Sequence, residues 1–418
     1  METSTILQDQ PRNFVYTSVE AEVENQTRYK RFGLHPITLG DVLPKPLTCV
    51  SDVNKEPRYR IMLKLGFGAF ATVWLARDFV EERYVAVKVG LGSDKPLLDR
   101  EAEILSQIRK TGPGKHGYES VIELLDVFIV EGPNGFHQCL VTEVVSPLSN
   151  QDTAQHCSFD VVRQIVEGFA FLHGEGIVHG DPHVGNIGIA LPQLEQFEED
   201  DIAGYFSNPE IIPVVPRDPK FPMNSIPPYL VQSVTVEILG FGRAYRISQA
   251  VPNLLDAAPE KIRPPEVVLH ELCDGRIGST WSEVADIWAL GCTLYHIKSG
   301  DELISTMDSL KDYLFQAIQF GGPPPETWPK VWETQDRQHG NCCRDTDTLA
   351  PALCDRVKVW EVREESLNSS RTPHDEEILA FLNFIKRMII TDPDERTPTR
   401  VLLTDPFMME RKKEEGSI

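Results

Sequence analysis

The chain has 418 residues, which is long enough for two packed units with their own cores. Its hydrophobic fraction of 41% and charged fraction of 25% are typical of a globular protein, and no apolar run approaches the ~18 residues of a membrane span. The formal charge of −22 argues against direct binding of nucleic acids and favours basic partners or substrates. Scattered cysteines without CxxC pairs, and an N-terminus without a secretory pattern, favour reduced thiols in the cytoplasm or the nucleus.

A glycine-containing turn is the first motif, after an N-terminal extension expected over residues 1–54. The segment from Tyr59 to Ala76 alternates apolar and polar residues around this turn, which predicts a β-hairpin. Gly66 and Gly68 let the backbone lie close to phosphate groups, and Phe70 at the tip could shield them from water. Because most Gly-x-Gly turns only reverse the chain, this pattern is weak evidence on its own.

Lys88 lies inside the next predicted strand, residues 84–89, which is otherwise apolar. A buried charge is costly unless it is paired, so the alternative is a lysine at the edge of a sheet. Its position about 20 residues after the glycine turn favours a functional lysine. The predicted helix at 99–110 offers Glu101 as its partner, and Glu103 is the second candidate because it falls in a less favourable register.

Two further strands are predicted at 121–130 and 138–145. The end of the second one, Thr142-Glu143-Val144-Val145, would be a connection where an adenine ring could pair with backbone groups. An amphipathic helix predicted at 159–173 then leads into the central loop of the chain.

That central loop is residues 177–190, IVHGDPHVGNIGIA, which read as two strands joined by a tight loop. The carboxylate of Asp181 can take a hydroxyl proton, while the amide oxygen of Asn186 can hold a magnesium ion beside phosphates. The spacing therefore suits phosphoryl transfer. The same pattern also resembles small-molecule phosphotransferases, so the loop alone leaves both interpretations open.

The segment 191–236 differs from its surroundings, with an acidic run followed by repeated prolines. We expect an inserted loop that protrudes from the C-terminal part of the chain, packs poorly and contributes little to stability. A strand at 234–239 follows and ends in Gly240-Phe241-Gly242. Later motifs are Arg263-Pro-Pro-Glu266, the helical segment 286–291 (DIWALG), and Arg396 before the last helix.

These motifs, in this order between about Gly33 and Phe407, resemble the eukaryotic protein-kinase fold. The last three are features of protein kinases, which removes the small-molecule interpretation. The resemblance implies a bilobal α+β fold, with a β-rich N-lobe at 55–143, a mainly helical C-lobe at 144–410 that carries the insert 191–236, and a tail at 411–418.

The resemblance also implies roles for the catalytic candidates. Lys88 would hold the α- and β-phosphates of ATP and pair with Glu101, and Asp181 would be the base. Asn186 would bind Mg²⁺. His183 stands where serine/threonine kinases have a lysine near the γ-phosphate.

Further positions carry structural or ATP-binding roles by the same resemblance. Glu266 would pair with Arg396 to brace the C-lobe, and His179 and Asp286 are structural candidates. The residues expected to contact ATP are Leu65, Gly66, Phe67, Gly68, Ala69, Phe70, Val73, Ala86, Lys88, Thr142, Glu143 and Val145.

A narrower resemblance comes from GLHPITLGD before the hairpin, from YRIMLKLGFGAFATVWLARD in the hairpin, and from GGPPPETW further on. These stretches are similar to the serine/arginine-protein kinases, particularly fungal members. The resemblance implies a monomeric enzyme that phosphorylates serine in basic, Arg/Ser-rich proteins, without contacts to nucleic acid or membrane. Such substrates suit an acidic chain.

Two positions depart from the kinase pattern. Gly180 replaces the arginine that would bind an activation-loop phosphate, so regulation by loop phosphorylation is not expected. Gly240 replaces the aspartate that is normally a main protein ligand of the magnesium ion, which predicts slower transfer and makes a pseudokinase the alternative function. We expect the Cα of Gly240 to lie close to Asn186, and Gly240→Asp to restore the missing ligand.

Overall fold

The computed structural model describes residues 26–149, 159–205, 235–248, 259–305, 309–333 and 375–409. The chain divides into two compact units. The first consists of Met1–Asp99, Leu124–Val144 and Leu191–Leu230, and the second consists of Arg100–Glu123, Val145–Ala190 and Val231–Ile418.

The first unit is built on six strands: β1 (Val42–Leu43), β2 (Tyr59–Phe67), β3 (Ala71–Asp78), β4 (Arg83–Gly90), β5 (Leu124–Gly132) and β6 (Gly135–Thr142). They form one antiparallel sheet in the order β1-β2-β3-β4-β6-β5. The predicted hairpin and the strand of Lys88 are confirmed. The last two strands are displaced from the predicted bounds, because a 3-10 turn at Tyr118–Ser120 delays β5 and a tight turn between Gly132 and Gly135 starts β6 early.

Period-two alternation gives this sheet one fully apolar face. Side chains from all six strands and from the segment between β1 and β2 interlock there. Burial of this apolar surface, at about 25 cal/mol per Å², is the main stabilising contribution. The members of this core are Leu43, Cys49, Tyr59, Ile61, Trp74, Ala76, Val85, Val87, Val89, Phe128, Val130, Cys139 and Val141.

The first part of the insert packs against this unit, which corrects the sequence-based expectation. Residues Pro192–Gln196 form a 3-10 turn, and Glu199–Tyr205 form a short helix, which is the third in chain order and is called α3. A second apolar cluster joins this segment to the sheet, and its members are Leu63, Leu75, Tyr84, Val144, Leu191, Leu194 and Ile202.

Polar contacts fix the same segment. The carboxylate of Glu195 accepts the backbone N–H of Tyr84 at 2.6 Å and pairs with Arg77 at 3.2 Å. Arg60 pairs with Glu199. The expectation of a poorly packed loop is therefore wrong for residues 191–205, because its prolines and acids flank leucines that reach the sheet. The rest of the insert, 206–234, lies outside the described residues.

The second unit is mainly helical; it includes Arg100–Glu123, which the predicted bounds assign to the N-lobe, and not Leu191–Leu230, which they assign to the C-lobe. Its helices are α1 (Arg100–Thr111), α2 (Phe159–Gly174), α4 (Pro265–Leu272), α5 (Glu283–Ser299), α6 (Leu310–Gly321), α7 (Asp375–Lys386), α8 (Thr399–Leu402) and α9 (Pro406–Met409). Its short strands are β7 (Val145–Pro147), β8 (Ile177–Val178), β9 (Ile187–Ala190), β10 (Val236–Ile238) and β11 (Tyr245–Arg246). They pair as β10-β9-β7 and β11-β8.

Helix α5 is the central helix of this unit, and nearly all of its residues are buried. A helix that is apolar around its whole circumference must be surrounded by other elements. The α+β prediction is confirmed by the two units together. Within the described ranges, no helix combines the length and the apolar character needed to cross a membrane.

Candidate active site

The loop between β8 and β9 carries the catalytic candidates, and its backbone is tightly hydrogen-bonded. The N–H of His183 donates to the carbonyl of Asp181 at 2.9 Å, and the N–H of Asn186 donates to the carbonyl of His183 at 2.8 Å. Residues Val184–Asn186 form a 3-10 turn that leads directly into β9. These bonds fix Asp181 and Asn186 on one small loop.

Asp286 on α5 holds the start of this loop. Its carboxylate accepts the backbone N–H groups of His179 (2.7 Å) and Gly180 (2.9 Å) and the indole N–H of Trp281 (2.7 Å). It also lies 3.3 Å from His173 Nε2. Burial by itself raises the pKa of Asp286, but these hydrogen bonds and the nearby histidines outweigh burial and lower it. The group is therefore a buried carboxylate that anchors backbone rather than one that exchanges protons.

His179 joins the loop to the segment of Gly240. Its Nδ1 accepts the N–H of Asp181 at 3.2 Å, so the ring carries its proton on Nε2, which donates to the carbonyl of Leu239 at 2.7 Å. The ring also packs between the rings of Phe169 and Phe241. The structural role expected for His179 is supported by these contacts.

Asp181 has the environment of a proton acceptor. Burial raises the pKa of its carboxyl group, against the opposing influence of the neighbouring histidines and arginine. Its Oδ1 is buried and has no hydrogen-bond partner among the described residues, while Oδ2 accepts from Asn186 Nδ2 at 3.3 Å. The side chain as a whole is 14% exposed, and a partly buried carboxylate with a raised pKa is suited to accept a proton from a substrate hydroxyl.

His183 lies beside this carboxylate. Its Nδ1 accepts the N–H of Gly185 at 3.0 Å, which leaves the proton of the neutral ring on Nε2, 3.6 Å from Asp181 Oδ2. Burial lowers the pKa of His183 although Asp181 raises it. The side chain is therefore a neutral ring next to the base and not a copy of a charged lysine.

Gly240 has the left-handed backbone that glycine favours, with φ 73° and ψ 44°. A Cβ at this position would lie 2.2 Å from Asn186 Oδ1 and 2.8 Å from Asn186 Nδ2. The expected proximity of Gly240 and Asn186 is confirmed. A side chain at position 240 therefore requires the amide of Asn186 to move, because this amide occupies the space that the side chain would need.

The donor set at this position does not fit a magnesium ion. Mg²⁺ takes oxygen ligands in a strict octahedral geometry and is usually held by one or two carboxylates. Here Gly240 supplies no side chain, and Asn186 uses its Nδ2 to bind the carbonyl of Asp181 at 2.9 Å. An amide oxygen is the only side-chain oxygen of these two positions.

Helix α1 places Glu101 next to the segment after Gly240. Glu101 is 7% exposed on the face of α1 that also buries Ala102, Ile104, Leu105 and Ile108, and its Oε2 lies 3.7 Å from where a Cβ of Gly242 would be. Glu103 points to solvent. This burial favours Glu101 over Glu103, whereas its pairing with Lys88, which belongs to the first unit, remains a prediction.

The phosphate-binding candidates of the first unit share one region of the sheet. The strand register sets Gly66 opposite Val73 and Val73 opposite Lys88. Val73 and Lys88 alternate with core residues of β3 and β4, so they lie on the other face of the sheet. The tip residue Phe70 is 72% exposed, as expected for a residue that could cover a ligand.

The remaining expected ATP contacts also have defined positions. Leu65 and Phe67 end β2, and Gly68, Ala69 and Phe70 form the turn. Ala86 lies opposite Thr142 in the β4–β6 register. Glu143 follows Thr142 in the first unit, and Val145 begins β7 in the second.

Glu266 and Arg396 form a buried bidentate ion pair. The two N···O distances are 2.7 and 2.6 Å, and both side chains are almost fully buried. Arg396 also donates to the carbonyls of Ile390 and Val284, and it lies over the ring of Trp288. The two residues are 130 positions apart in the sequence, so their ion pair links distant segments of this unit, as expected.

Several contributors to the loop carry no signal in the sequence. Thr293 donates to the carbonyl of Pro182 at 2.7 Å, and Trp281 and His173 contact Asp286 as described above. Gly180 has φ 81°, and a Cβ there would lie 2.8 Å from the carbonyl oxygen of Arg243. Glycine at position 180 thus permits the backbone of Arg243 to lie close to it. From the sequence, this position was noted only because it lacks the arginine of the kinase pattern.

Comparison with known proteins gives the following relatives. No protein-family model matches the chain. A serine/threonine protein kinase of Aspergillus fumigatus is 24% identical and covers 94% of this chain and 92% of its own length. Protein kinase dsk1 of Schizosaccharomyces pombe is 25% identical over 94% of this chain and 86% of its own. SRSF protein kinase 3 of Homo sapiens is 32% identical over 41% of this chain and 30% of its own. These relatives confirm the protein-kinase fold and support the resemblance to serine/threonine kinases of the serine/arginine type.

Proposed function

We propose that the protein is a serine/threonine protein kinase that transfers the γ-phosphate of ATP to serine in basic, Arg/Ser-rich proteins. The observation that carries this proposal is Asp181, a partly buried carboxylate whose pKa is raised by burial and which lies on a loop fixed by hydrogen bonds. A carboxylate with a raised pKa at a fixed position is the type of group that serves as a general base.

Each residue of the loop has a part in the transfer. Asp181 accepts the proton of the serine hydroxyl as its oxygen attacks the γ-phosphorus. His183 lies beside the carboxylate, with its Nε2 3.6 Å from Asp181 Oδ2, and contributes to the polar surroundings of the base. Asp286 and His179 are positioning residues, since they hold the backbone on which Asp181 sits.

The nucleotide contacts come from the glycine turn and from β4. Backbone N–H groups of the turn and the ammonium of Lys88 bind the phosphates, and Phe70 covers them. The connection at Thr142–Val145 receives the adenine ring. Mg²⁺ normally accompanies ATP in such sites, but the donor set here does not fit it, so no step is assigned to the ion.

The charge of the chain supports the substrate class. With a net charge of −22, the protein attracts arginine-rich segments before contact. The name of one relative, SRSF protein kinase 3, fits this class. We place the activity in the cytoplasm or the nucleus, where such thiol-containing proteins stay reduced.

Transfer is expected to be slow. Loss of one preorganised electrostatic element costs about 10²–10³ in rate, or about 3–4 kcal/mol of transition-state stabilisation. Gly240 therefore favours a second candidate, a pseudokinase that binds nucleotide or basic proteins as a scaffold.

Phosphorylation of matched peptides tests the proposal. The full-length protein is incubated with ATP, Mg²⁺ or Mn²⁺, and a peptide of Arg-Ser repeats, and phosphoserine is located by mass spectrometry. The control peptides replace serine with alanine or arginine with glutamate. We expect phosphate on the Arg-Ser peptide alone. If nucleotide binds while no peptide is phosphorylated with any divalent ion, the pseudokinase function is the correct one.

A further inference from the structure

The N-terminal extension contacts the glycine turn directly. We define the N-terminal bracket as residues 26–34, which belong to the first unit, like the turn. The guanidinium of Arg28 donates to the carbonyl of Gly68 through Nη1 at 2.6 Å and to the carbonyl of Ala69 through Nη2. One planar fork thus binds two successive carbonyls of the turn, a geometry for which the rigid guanidinium is preorganised.

These two hydrogen bonds determine where the neighbouring N–H groups point. A trans peptide places its C=O and its N–H on opposite sides. Since the carbonyls of Gly68 and Ala69 face Arg28, the N–H groups of Ala69 and Phe70 face away from it together. Among the described residues neither N–H has an acceptor. Two successive, unoccupied N–H groups form a small anion-binding concavity.

The bracket is fixed well enough to hold the turn. The N–H of Leu34 donates to the carbonyl of Arg28 at 2.9 Å, and the side chain of Leu34 is fully buried. The N–H of Phe32 donates to the carbonyl of Asn134 at 2.7 Å, and Asn134 Nδ2 returns a bond to the carbonyl of Leu34 at 2.6 Å. Arg28 therefore reaches the turn from an anchored segment.

We infer that Arg28 is a positioning residue that presents the N–H groups of Ala69 and Phe70 to the phosphates of the nucleotide. This inference rests on the proposed function in one respect, that the ligand is ATP. Removing the guanidinium leaves the two carbonyls free to rotate, and the N–H groups then lose their common direction. The expected effect is on phosphate binding and not on the adenine or on folding.

Arg31 offers a matched control. It lies in the same bracket and carries the same charge, but its guanidinium lies over the ring of Phe32 at 4.7 Å. Arg28→Met and Arg31→Met remove equal charge from the same segment, and only the first removes a contact with the turn. Arg28→Lys keeps the charge but replaces the fork with a single ammonium.

Isothermal titration of the full-length variants with ATP and with adenosine measures the effect. Arg28→Met should weaken ATP binding at least about tenfold and adenosine binding less than about twofold. Arg28→Lys should be intermediate for ATP, since a single ammonium holds the two carbonyls less firmly than the planar fork does. Arg31→Met should leave both affinities within about twofold. Equal affinities of Arg28→Met and the wild type for ATP would overturn the inference, and so would an equal loss for adenosine.

Hydrogen exchange of the peptide spanning 66–71 provides a second readout that needs no nucleotide. The N–H of Gly68 donates to the carbonyl of Ala71 at 2.9 Å, and this bond should open more often in Arg28→Met and Arg28→Lys but not in Arg31→Met. Unchanged exchange would overturn the role of Arg28. If the wild type binds no nucleotide, the proposed function is contradicted. The hydrogen-exchange experiment then still tests whether Arg28 holds the turn.

Discussion

Gly240→Ala is a direct perturbation of the centre of the candidate site. The new Cβ would lie 2.2 Å from Asn186 Oδ1, so the amide has to rotate away. Rotation breaks its bonds to the carbonyl of Asp181 (2.9 Å) and to Oδ2 of the same residue (3.3 Å), at about 0.5–1.5 kcal/mol each. Alanine at φ 73° adds about 1–2 kcal/mol. We expect the free energy of unfolding to fall by about 2–5 kcal/mol in total.

Urea unfolding of the full-length protein measures this loss, with Gly174→Ala as the control. Gly174 ends α2 in the same unit, has no positive φ, and a Cβ there meets nothing within 4 Å. The control should change the free energy of unfolding by less than about 1 kcal/mol. If Gly240→Ala loses less than about 0.5 kcal/mol, Asn186 is not held against Gly240 and the reasoning is refuted.

Gly240→Asp meets the same obstruction, but aspartate tolerates left-handed backbone better than alanine does. Once the amide of Asn186 has moved, a carboxylate stands where the donor set lacked one. We expect lower stability together with a rise of at least about tenfold in phosphorylation of an Arg/Ser peptide with Mg²⁺. Asp181→Ala in the same background should abolish the gain. A rise that persists without Asp181 would contradict the role of that residue.

Three further predictions concern stability and pH. Leu194→Ala should lower the free energy of unfolding in urea by about 2–5 kcal/mol, because Leu194 is buried against the sheet. The control Leu97→Ala, at an exposed position, should be nearly neutral, and equal effects would contradict the packing of the insert. Glu266→Gln should lower the free energy of unfolding by about 3–5 kcal/mol, because it leaves the buried guanidinium of Arg396 uncompensated. The control Glu271→Gln removes a more exposed ion pair and should lower it by less than about 1 kcal/mol. The pKa of Asp181 is raised by burial, so kcat/KM should fall as the pH decreases through a value above that of an ordinary aspartate; an acid limb at the ordinary value would refute its burial.

Short-range patterns in the sequence predicted the elements well. Apolar alternation indicated β2, β3 and β4 nearly to the residue, and the helical period of α1 placed Glu101 on the buried face and Glu103 on the exposed one. These patterns work because they follow from which side of one element meets the core. The position of Gly240 beside Asn186 was expected from the kinase resemblance, and the pairing of β9 with β10 accounts for it.

Contacts between distant segments could not be predicted in this way. Leu194 and Ile202 occur in an acidic, proline-rich stretch, and nothing local shows that a sheet more than 100 residues earlier receives them. No motif in the N-terminal extension indicated a contact with the glycine turn, so the sequence did not predict the hydrogen bond from Arg28 to Gly68. The steric conflict between a side chain at position 240 and Asn186 was also not predictable, because it depends on the rotamer of Asn186 and on the positive φ of Gly240.

The catalytic role of Asp181 is the central claim, and one comparison tests it directly. Single-turnover transfer from ATP to an Arg-Ser peptide is measured for the wild type and for Asp181→Asn, which keeps the shape of the side chain and removes the base. We predict that the rate of transfer falls about 10²–10⁴-fold while the affinity for ATP stays within about twofold. Equal rates in the two proteins would contradict the account.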